Sequence, residues 1–274
     1  MAFILDGKVV AQKIKDSLAT ACSNQEIKLA IFQVGDNPAS NTYIRNKQKA
    51  CDEVGIKSKV VKMGESAYDE YLLVRYLCEE ESDGVMVQLP LPSNYNEHLF
   101  LNCIPPSKDA DCLTDEALGR FYSSSNPTIA PCTAQGIIDL LDYYNIPIEG
   151  KHAVVVGRSN IVGKPIAHLL TCRNATVTVC HSKTPNLSEY TKQADILVVA
   201  IGKPKYITSD MVKDTAVVID VGINRDENGK LCGDVDFEQV APVVSAITPV
   251  PGGVGPLTVA ELLNNTVKLY NNTK

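Results

Sequence analysis

Three observations predict an α/β fold with two domains. Short β-branched runs recur with helix-length segments between them. The later runs are continuously apolar, as in parallel strands covered on both faces. The 274 residues, 45% of them hydrophobic and 21% charged, suffice for two separately cored domains.

The first series of strands is Lys28-Leu-Ala-Ile-Phe-Gln-Val34, Ser58-Lys-Val-Val-Lys62 and Gly84-Val-Met-Val-Gln-Leu89. Between its first two members, residues 40–54 read as a helix stopped by Gly55. The polar stretch Gly119-Arg-Phe-Tyr-Ser-Ser-Ser-Asn-Pro127, rich in turn residues, is the expected boundary. Residues 133–144 then read as a helix leading into the second series: His152-Ala-Val-Val-Val-Gly157, Ala175-Thr-Val-Thr-Val-Cys180, Asp195-Ile-Leu-Val-Val-Ala200 and Ala216-Val-Val-Ile-Asp-Val221. In the last segment Val259, Leu262, Leu263, Val267 and Tyr270 share one helical face that needs a partner, expected to be the first domain. The expected division is therefore residues 1–118 with a returning helix at 257–274, and residues 119–256.

Composition excludes several function classes. A net charge of −6 with no basic run longer than two residues argues against a nucleic-acid surface. No apolar run is long enough to span a bilayer, and the start has neither the basic flank nor the apolar core of a signal peptide, so a cytoplasmic location is expected. Nine cysteines form no Cys-x-x-Cys pair and four histidines no His-x-x-x-His spacing; the cysteines read as small reduced core residues, and no metal is expected.

Directly after the strand ending at Val156 comes Gly157-Arg-Ser-Asn-Ile-Val-Gly-Lys-Pro165, then a helical pattern. A glycine turn between strand and helix brings backbone close to a pyrophosphate and aims helix N–H groups at it. The spacing is one residue longer than the usual dinucleotide fingerprint, and a plain tight turn is the competing reading. The next strand ends in His181-Ser182-Lys183, with no acidic residue for a ribose hydroxyl. With Arg158 in the first turn, this suits the additional phosphate of NADP rather than NAD, unless the basic residues merely belong to a solvated loop.

On the helix at residues 40–54, Tyr43, Ile44, Ala50, Cys51 and Val54 form a stripe into which Lys47 falls. Either the lysine stem lies along apolar surface with its ammonium in water, or the lysine lines a cleft beside Tyr43, where desolvation lowers its pKa toward a range useful for proton transfer. The pattern alone does not separate these. Gln88 interrupts an apolar strand just before Pro90-Leu-Pro92, a common setting for an amide that faces a site. Asp109 and Asp111 lie in a predicted loop, as turn-formers or as acceptors for an N–H-rich heterocycle. Thr248-Pro-Val-Pro-Gly-Gly-Val-Gly-Pro256 is too rich in Gly and Pro for regular structure; it is a rigid connector or a backbone loop closely opposed to a ligand, with a cis proline in prospect.

These segments together resemble the bifunctional methylenetetrahydrofolate dehydrogenase/methenyltetrahydrofolate cyclohydrolase family. The resemblance runs over essentially the whole chain, through Tyr43-Ile-Arg-Asn-Lys47, Val87-Gln-Leu-Pro-Leu-Pro92, Lys108-Asp-Ala-Asp111, Pro131-Cys-Thr133, Gly157-Arg-Ser159, Val162-Gly-Lys-Pro165, His181-Ser-Lys-Thr184, Asp220-Val-Gly-Ile-Asn224 and Pro249-Val-Pro-Gly-Gly-Val-Gly-Pro-Leu-Thr258. It implies an N-terminal folate-binding catalytic domain and a C-terminal Rossmann-like NADP domain with the substrate in a cleft between them, usually in a homodimer. It implies two activities: NADP-dependent oxidation of 5,10-methylenetetrahydrofolate, and hydrolysis of the product to 10-formyltetrahydrofolate, in the one-carbon metabolism that feeds purine biosynthesis.

By the same resemblance Lys47 is the principal catalytic residue, Tyr43 stacks near the folate, Gln88 hydrogen-bonds with the lysine and the reacting centre, and Asp111 holds the pterin; all four are counted as catalytic. Leu89, Pro90, Pro251, Gly252 and Gly253 join Tyr43, Gln88 and Asp111 in holding the substrate. Gly157, Arg158, Ser159, Ser182, Lys183 and Ile223 hold the cofactor. Two positions depart from the family pattern. Cys112 stands where glycine is common, so an ordinary backbone conformation is expected there, with a consequence for the placement of Asp111. Ala134 replaces the usual proline. Competing readings are another small two-domain NADP dehydrogenase such as one resembling shikimate dehydrogenase, a nucleotide-binding regulatory module without chemistry, and a dehydrogenase lacking the hydrolase step.

Overall fold

The structure, a computed structural model, describes residues 2–273. In chain order the elements are β1 (Phe3–Ile4), α1 (Gly7–Cys22), β2 (Lys28–Val34), α2 (Pro38–Val54), β3 (Lys57–Met63), α3 (Ala67–Glu79), β4 (Gly84–Val87), α4 (Glu97–Leu101), α5 (Asp115–Ser123) and α6 (Cys132–Tyr143). There follow β5 (His152–Val156), α7 (Gly163–Cys172), β6 (Thr176–Cys180), α8 (Leu187–Thr191), β7 (Ile196–Val199), β8 (Val217–Asp220), β9 (Asn224–Arg225), β10 (Leu231–Cys232), α9 (Phe237–Val240), β11 (Ala246–Ile247) and α10 (Val254–Asn272).

The chain forms two compact units. One gathers Gln12–Cys132 with residues 259–273, the other residues 2–11 with Thr133–Thr258. Residues 119–132 thus lie with the first series of strands, and the opening residues lie with the second.

The first unit is built on a parallel sheet in the order β3-β2-β4, with Ile31 opposite Val60 and Phe32 opposite Val87. The side chains of β2 alternate between two buried layers, as the two-residue period of a strand requires. Leu29 and Ile31 enter a core with Ile44, Ala50, Cys51 and Val54 of α2 and Leu262, Leu263 and Val267 of α10. Ala30, Phe32 and Val34 enter another with Leu73, Leu77 and Phe100. The helical face read at the end of the chain is therefore buried in this unit, with Val259 and Tyr270 packed at its margin. Each fully buried Leu or Phe stabilises the fold by about 1.5–3 kcal/mol.

The expected boundary is corrected in part. Gly119 to Ser123 continue the helix α5, because Thr114 caps its N-terminus: the hydroxyl accepts from the Ala117 N–H at 3.2 Å, and Asp115 and Glu116 complement the helix dipole in the first turn. The polar face of a short surface helix had the composition of a linker.

In the second unit six parallel strands run in the order β1-β11-β8-β7-β5-β6. From β5 the chain moves to β6 on one side, then returns to β7 on the other. This reversal is the topological switch point of a doubly wound sheet, where ligands bind outside the carboxyl ends of the strands. β5, β7 and β8 are almost wholly buried, which accounts for their uninterrupted apolar runs. The edge strand β1 comes from the other end of the sequence, Phe3 pairing with Ala246 and Ile4 with Ile247.

Candidate active site

Lys47 sits on the inward face of α2, four residues from Cys51 and three from Ile44, both buried. It is itself only 8% exposed. Its Nζ donates to Gln88 Oε1 at 2.9 Å and lies 3.3 Å from Met86 Sδ. Of the two readings of the sequence, the ammonium in water is excluded. Burial lowers the lysine pKa, against an opposing pull from the negative charge of Asp111.

Gln88 follows β4 directly, and its amide is oriented at both ends. The backbone N–H donates to Phe32 O at 2.8 Å, and Nε2 donates to the Leu89 carbonyl at 2.8 Å, leaving Oε1 to the lysine. The Leu89–Pro90 bond that follows is cis. Tyr43, one turn before Lys47, is 38% exposed, so a flat aromatic face remains open near a buried amine.

Asp109 and Asp111 differ. Asp109 is buried; Oδ2 accepts from the N–H groups of Leu113 and Thr114 at 2.8 and 2.7 Å, while Oδ1 is buried without a hydrogen-bond partner among the described residues. Burial pushes its carboxyl up to about 6, with a further push from Asp111. Asp111 is half-buried and lies on the loop that Asp109 ties down. Cys112 corrects an expectation: it adopts φ +58°, the left-handed conformation, so the backbone keeps the shape a glycine would give. The cost is on the order of 1–2 kcal/mol. It is borne in a loop held by the two Asp109 bonds and by Asn265 of α10, whose Nδ2 donates to the carbonyls of Ala110 and Ala130 at 3.0 and 2.9 Å. Cys132, buried on the same side, donates its thiol to Ala110 O at 3.3 Å.

In the other unit the loop from Thr248 has a cis Val250–Pro251 bond, and Gly252 stands at φ +109°. Its last residues are regular after all: α10 opens at Val254, with Pro256 in the first turn, where its missing N–H is no loss.

At the switch point Gly157 has φ +128°, and a Cβ there would overlap the carbonyl oxygen of Ala200, the residue after β7. Only glycine fits. Ser159 turns its hydroxyl toward the start of α7, accepting from the Val162 N–H at 3.1 Å. Arg158, Ser182 and Lys183 are exposed on the loops after the adjacent strands β5 and β6. The second loop is shaped by bonds from His181 N–H to Thr184 Oγ1 at 2.9 Å and from Lys183 N–H to His181 Nδ1 at 3.1 Å. Ile223, after β8, is half exposed. A close-approach glycine, a helix N-terminus and unburied cations at the end of a parallel sheet fit a phosphorylated dinucleotide.

Sequence reasoning passed over Met86 beside the lysine ammonium, the burial of Asp109, and two further buried carboxylates, Asp220 and Asp234. None has a local signal. Asp220 opens one of the motifs of the resemblance but, at the end of an apolar strand, gives no sign of its burial or partners, and Asp234 lies in an unremarkable loop.

One unit holding a buried lysine–amide pair and another holding a doubly wound sheet with a dinucleotide turn define a two-domain α/β oxidoreductase. The chain belongs to the tetrahydrofolate dehydrogenase/cyclohydrolase family: residues 5–111 match the model of its catalytic domain and residues 131–274 that of its NAD(P)-binding domain. It is 52% identical to the bifunctional protein FolD of Lachnoclostridium phytofermentans over 277 residues, 97% of each chain. The structure superposes with TM-score 0.94 and 46% identity on the bifunctional FolD methylenetetrahydrofolate dehydrogenase/cyclohydrolase from Campylobacter jejuni, covering 100% of both chains. It superposes with TM-score 0.93 and 37% identity on the Trypanosoma brucei methylenetetrahydrofolate dehydrogenase-cyclohydrolase crystallised with NADP and an inhibitor, covering 99% of this chain and 98% of that one. The protein is thus an NADP-dependent methylenetetrahydrofolate dehydrogenase and methenyltetrahydrofolate cyclohydrolase of one-carbon metabolism.

Proposed function

We propose that Lys47 is the proton-handling residue of the hydrolase step. The observation that carries this is a buried lysine, lowered in pKa, bonded at 2.9 Å to an amide that is itself fixed at its other end. Tyr43 supplies an aromatic face for the pterin system, and Asp111 accepts from the N–H groups of the heterocycle. Leu89, Pro90, Pro251, Gly252 and Gly253 give the substrate apolar and backbone walls.

When bound, NADP⁺ supplies the acceptor for the hydride that leaves the methylene bridge of the folate. Gly157, Arg158, Ser159, Ser182, Lys183 and Ile223 hold it: the glycine by close backbone approach, the arginine and lysine by charge on the 2′-phosphate, the isoleucine by an apolar surface. Oxidation leaves a methenyl cation shared by two folate nitrogens and needs no base from the protein. A neutral lysine is easier to place beside that cation than an ammonium, which is the electrostatic reason for burying Lys47.

Hydrolysis then needs a base. Water adds to the cationic carbon and gives up a proton; the bond from that carbon to one ring nitrogen breaks as the nitrogen gains a proton and the new hydroxyl loses one. The net result is one proton released. Lys47, oriented by Gln88, takes and returns protons at this carbon.

The two domains are kept with a helix returning from residue 257, the division drawn after α5 rather than at 118/119, which would cut that helix. We place the enzyme in the cytoplasm, working as a homodimer on one-carbon units destined for purine biosynthesis; sedimentation equilibrium tests the dimer. The catalytic reading is tested with 5,10-methylenetetrahydrofolate and NADP⁺, following NADPH and the methenyl compound separately. Wild-type protein should form NADPH and clear the methenyl compound faster than buffer does. Lys47→Met should lose that clearance by at least 100-fold, and Lys47→Arg, which keeps charge but cannot deprotonate, should lose it too. A Lys47→Arg enzyme with full hydrolase activity would overturn the role.

A further inference from the structure

At the carboxyl end of the six-stranded sheet two buried carboxylates form a linked pair that the mechanism above does not use. Asp220, the last residue of β8, accepts from the N–H groups of Gly222 and Asp234 on Oδ1 at 3.0 and 2.9 Å, and from Val235 on Oδ2 at 2.9 Å. Asp234 accepts from three successive backbone N–H groups: Ile201 and Gly202 on Oδ2 at 2.6 and 3.0 Å, and Lys203 on Oδ1 at 2.8 Å. Its Oδ1 also takes Asn224 Nδ2 at 2.8 Å. Both carboxylates are almost wholly buried.

The backbone is pressed against them. A Cβ on Gly222 would overlap the Asp234 carboxylate, and one on Gly233 the Asp220 carboxylate. Three consecutive N–H groups turned inward are an anion-binding concavity, and here the anion is a side chain of the protein itself. Two loops depend on it. One follows β7, whose neighbour β5 leads directly into Gly157 at the switch point; the other holds Ile223 immediately before Asn224.

We propose that Asp234, seated by Asp220, is a positioning residue for the dinucleotide: its carboxylate fixes the loops after β7 and β8 in the shape the cofactor meets. This rests on placing the dinucleotide at the β5/β7 switch point. The pair touches no reacting atom, so it governs cofactor affinity and leaves the hydrolase chemistry alone.

The test compares Asp234→Asn, which keeps size but puts an amide N–H₂ against N–H donors, with Asn224→Ala and Arg158→Ala. NADP⁺ affinity is measured by titration, amide exchange at residues 201–203 without cofactor, and methenyltetrahydrofolate hydrolysis without cofactor. Asp234→Asn should weaken NADP⁺ binding at least tenfold and speed exchange at residues 201–203, with cofactor-free hydrolysis within twofold of wild type. Asn224→Ala, which removes one donor from Asp234, should weaken binding about threefold with hydrolysis unchanged. It decides the matter alone if Asp234→Asn does not fold. Weakened binding in Arg158→Ala with normal binding in Asp234→Asn and Asn224→Ala would overturn the positioning role while leaving the cofactor site in place. Normal binding in all three would overturn the placement of the dinucleotide itself, and hydrolysis falling in step with binding would make the pair a general structural support.

Discussion

Asp109 and Lys47 show the same force acting with opposite sign on an acid and a base. Burial disfavours the charged form of each, raising the carboxyl to about 6 and lowering the amine. For Asp109 the linkage is explicit. The unfolded chain releases this proton near pH 4 and the folded protein near pH 6, so the associated stability is full below about 4 and is lost as pH rises to 6, on the order of 3 kcal/mol. Asp109→Asn lacks that slope. The difference in urea-unfolding free energy between wild type and variant should therefore narrow between pH 4.5 and pH 7.5; a constant difference would place the Asp109 pKa at its ordinary value. Lys47 predicts an acid limb in the hydrolase rate. Activity should fall as pH drops through the lowered lysine pKa, with no such limb in the residual rate of Lys47→Met.

Elements set by local pattern were legible, and elements set by distant partners were not. The seven strands read from β-branched runs are all present, and α2, α6, α7 and α10 lie where their periodicity puts them. β1 and β11 escaped because each is two residues long and owes its existence to pairing across the sequence. α5 was mistaken for a linker because its polar residues face solvent, although Thr114 and the two acids after it are an N-terminal signature. At the site, Lys47 and Gln88 were legible as polar residues in apolar patterns. The bond between them was implied only by the family resemblance, since no local pattern reports the distance from α2 to the end of β4. Two element-scale predictions follow from the caps and turns. Thr114→Ala should cost about 1 kcal/mol in denaturant unfolding. Gly157→Ala must move the backbone of either β5 or β7, so it should raise the KM for NADP⁺ at least tenfold while hydrolysis without cofactor persists.

Across the whole molecule, each unit takes part of its core or sheet from the far end of the chain. Leu262, Leu263 and Val267 belong to the core around β2, and Asn265 ties the two carbonyls beside the Asp111 loop. Leu263→Ala should therefore cost about 2–5 kcal/mol in the unfolding of the catalytic unit. NADP⁺ at 100 times its dissociation constant should add about 2.7 kcal/mol to whatever unfolds with the dinucleotide site; calorimetry with and without the cofactor reads both effects. The pairing of Phe3 with Ala246 and Ile4 with Ile247 also bears on biosynthesis. On the ribosome, the first strand to emerge must wait for almost the entire chain before its neighbour exists, and the core around β2 waits longer still for its closing helix. Neither unit can complete its native sheet or core as a nascent fragment, so closure of both belongs to the end of synthesis.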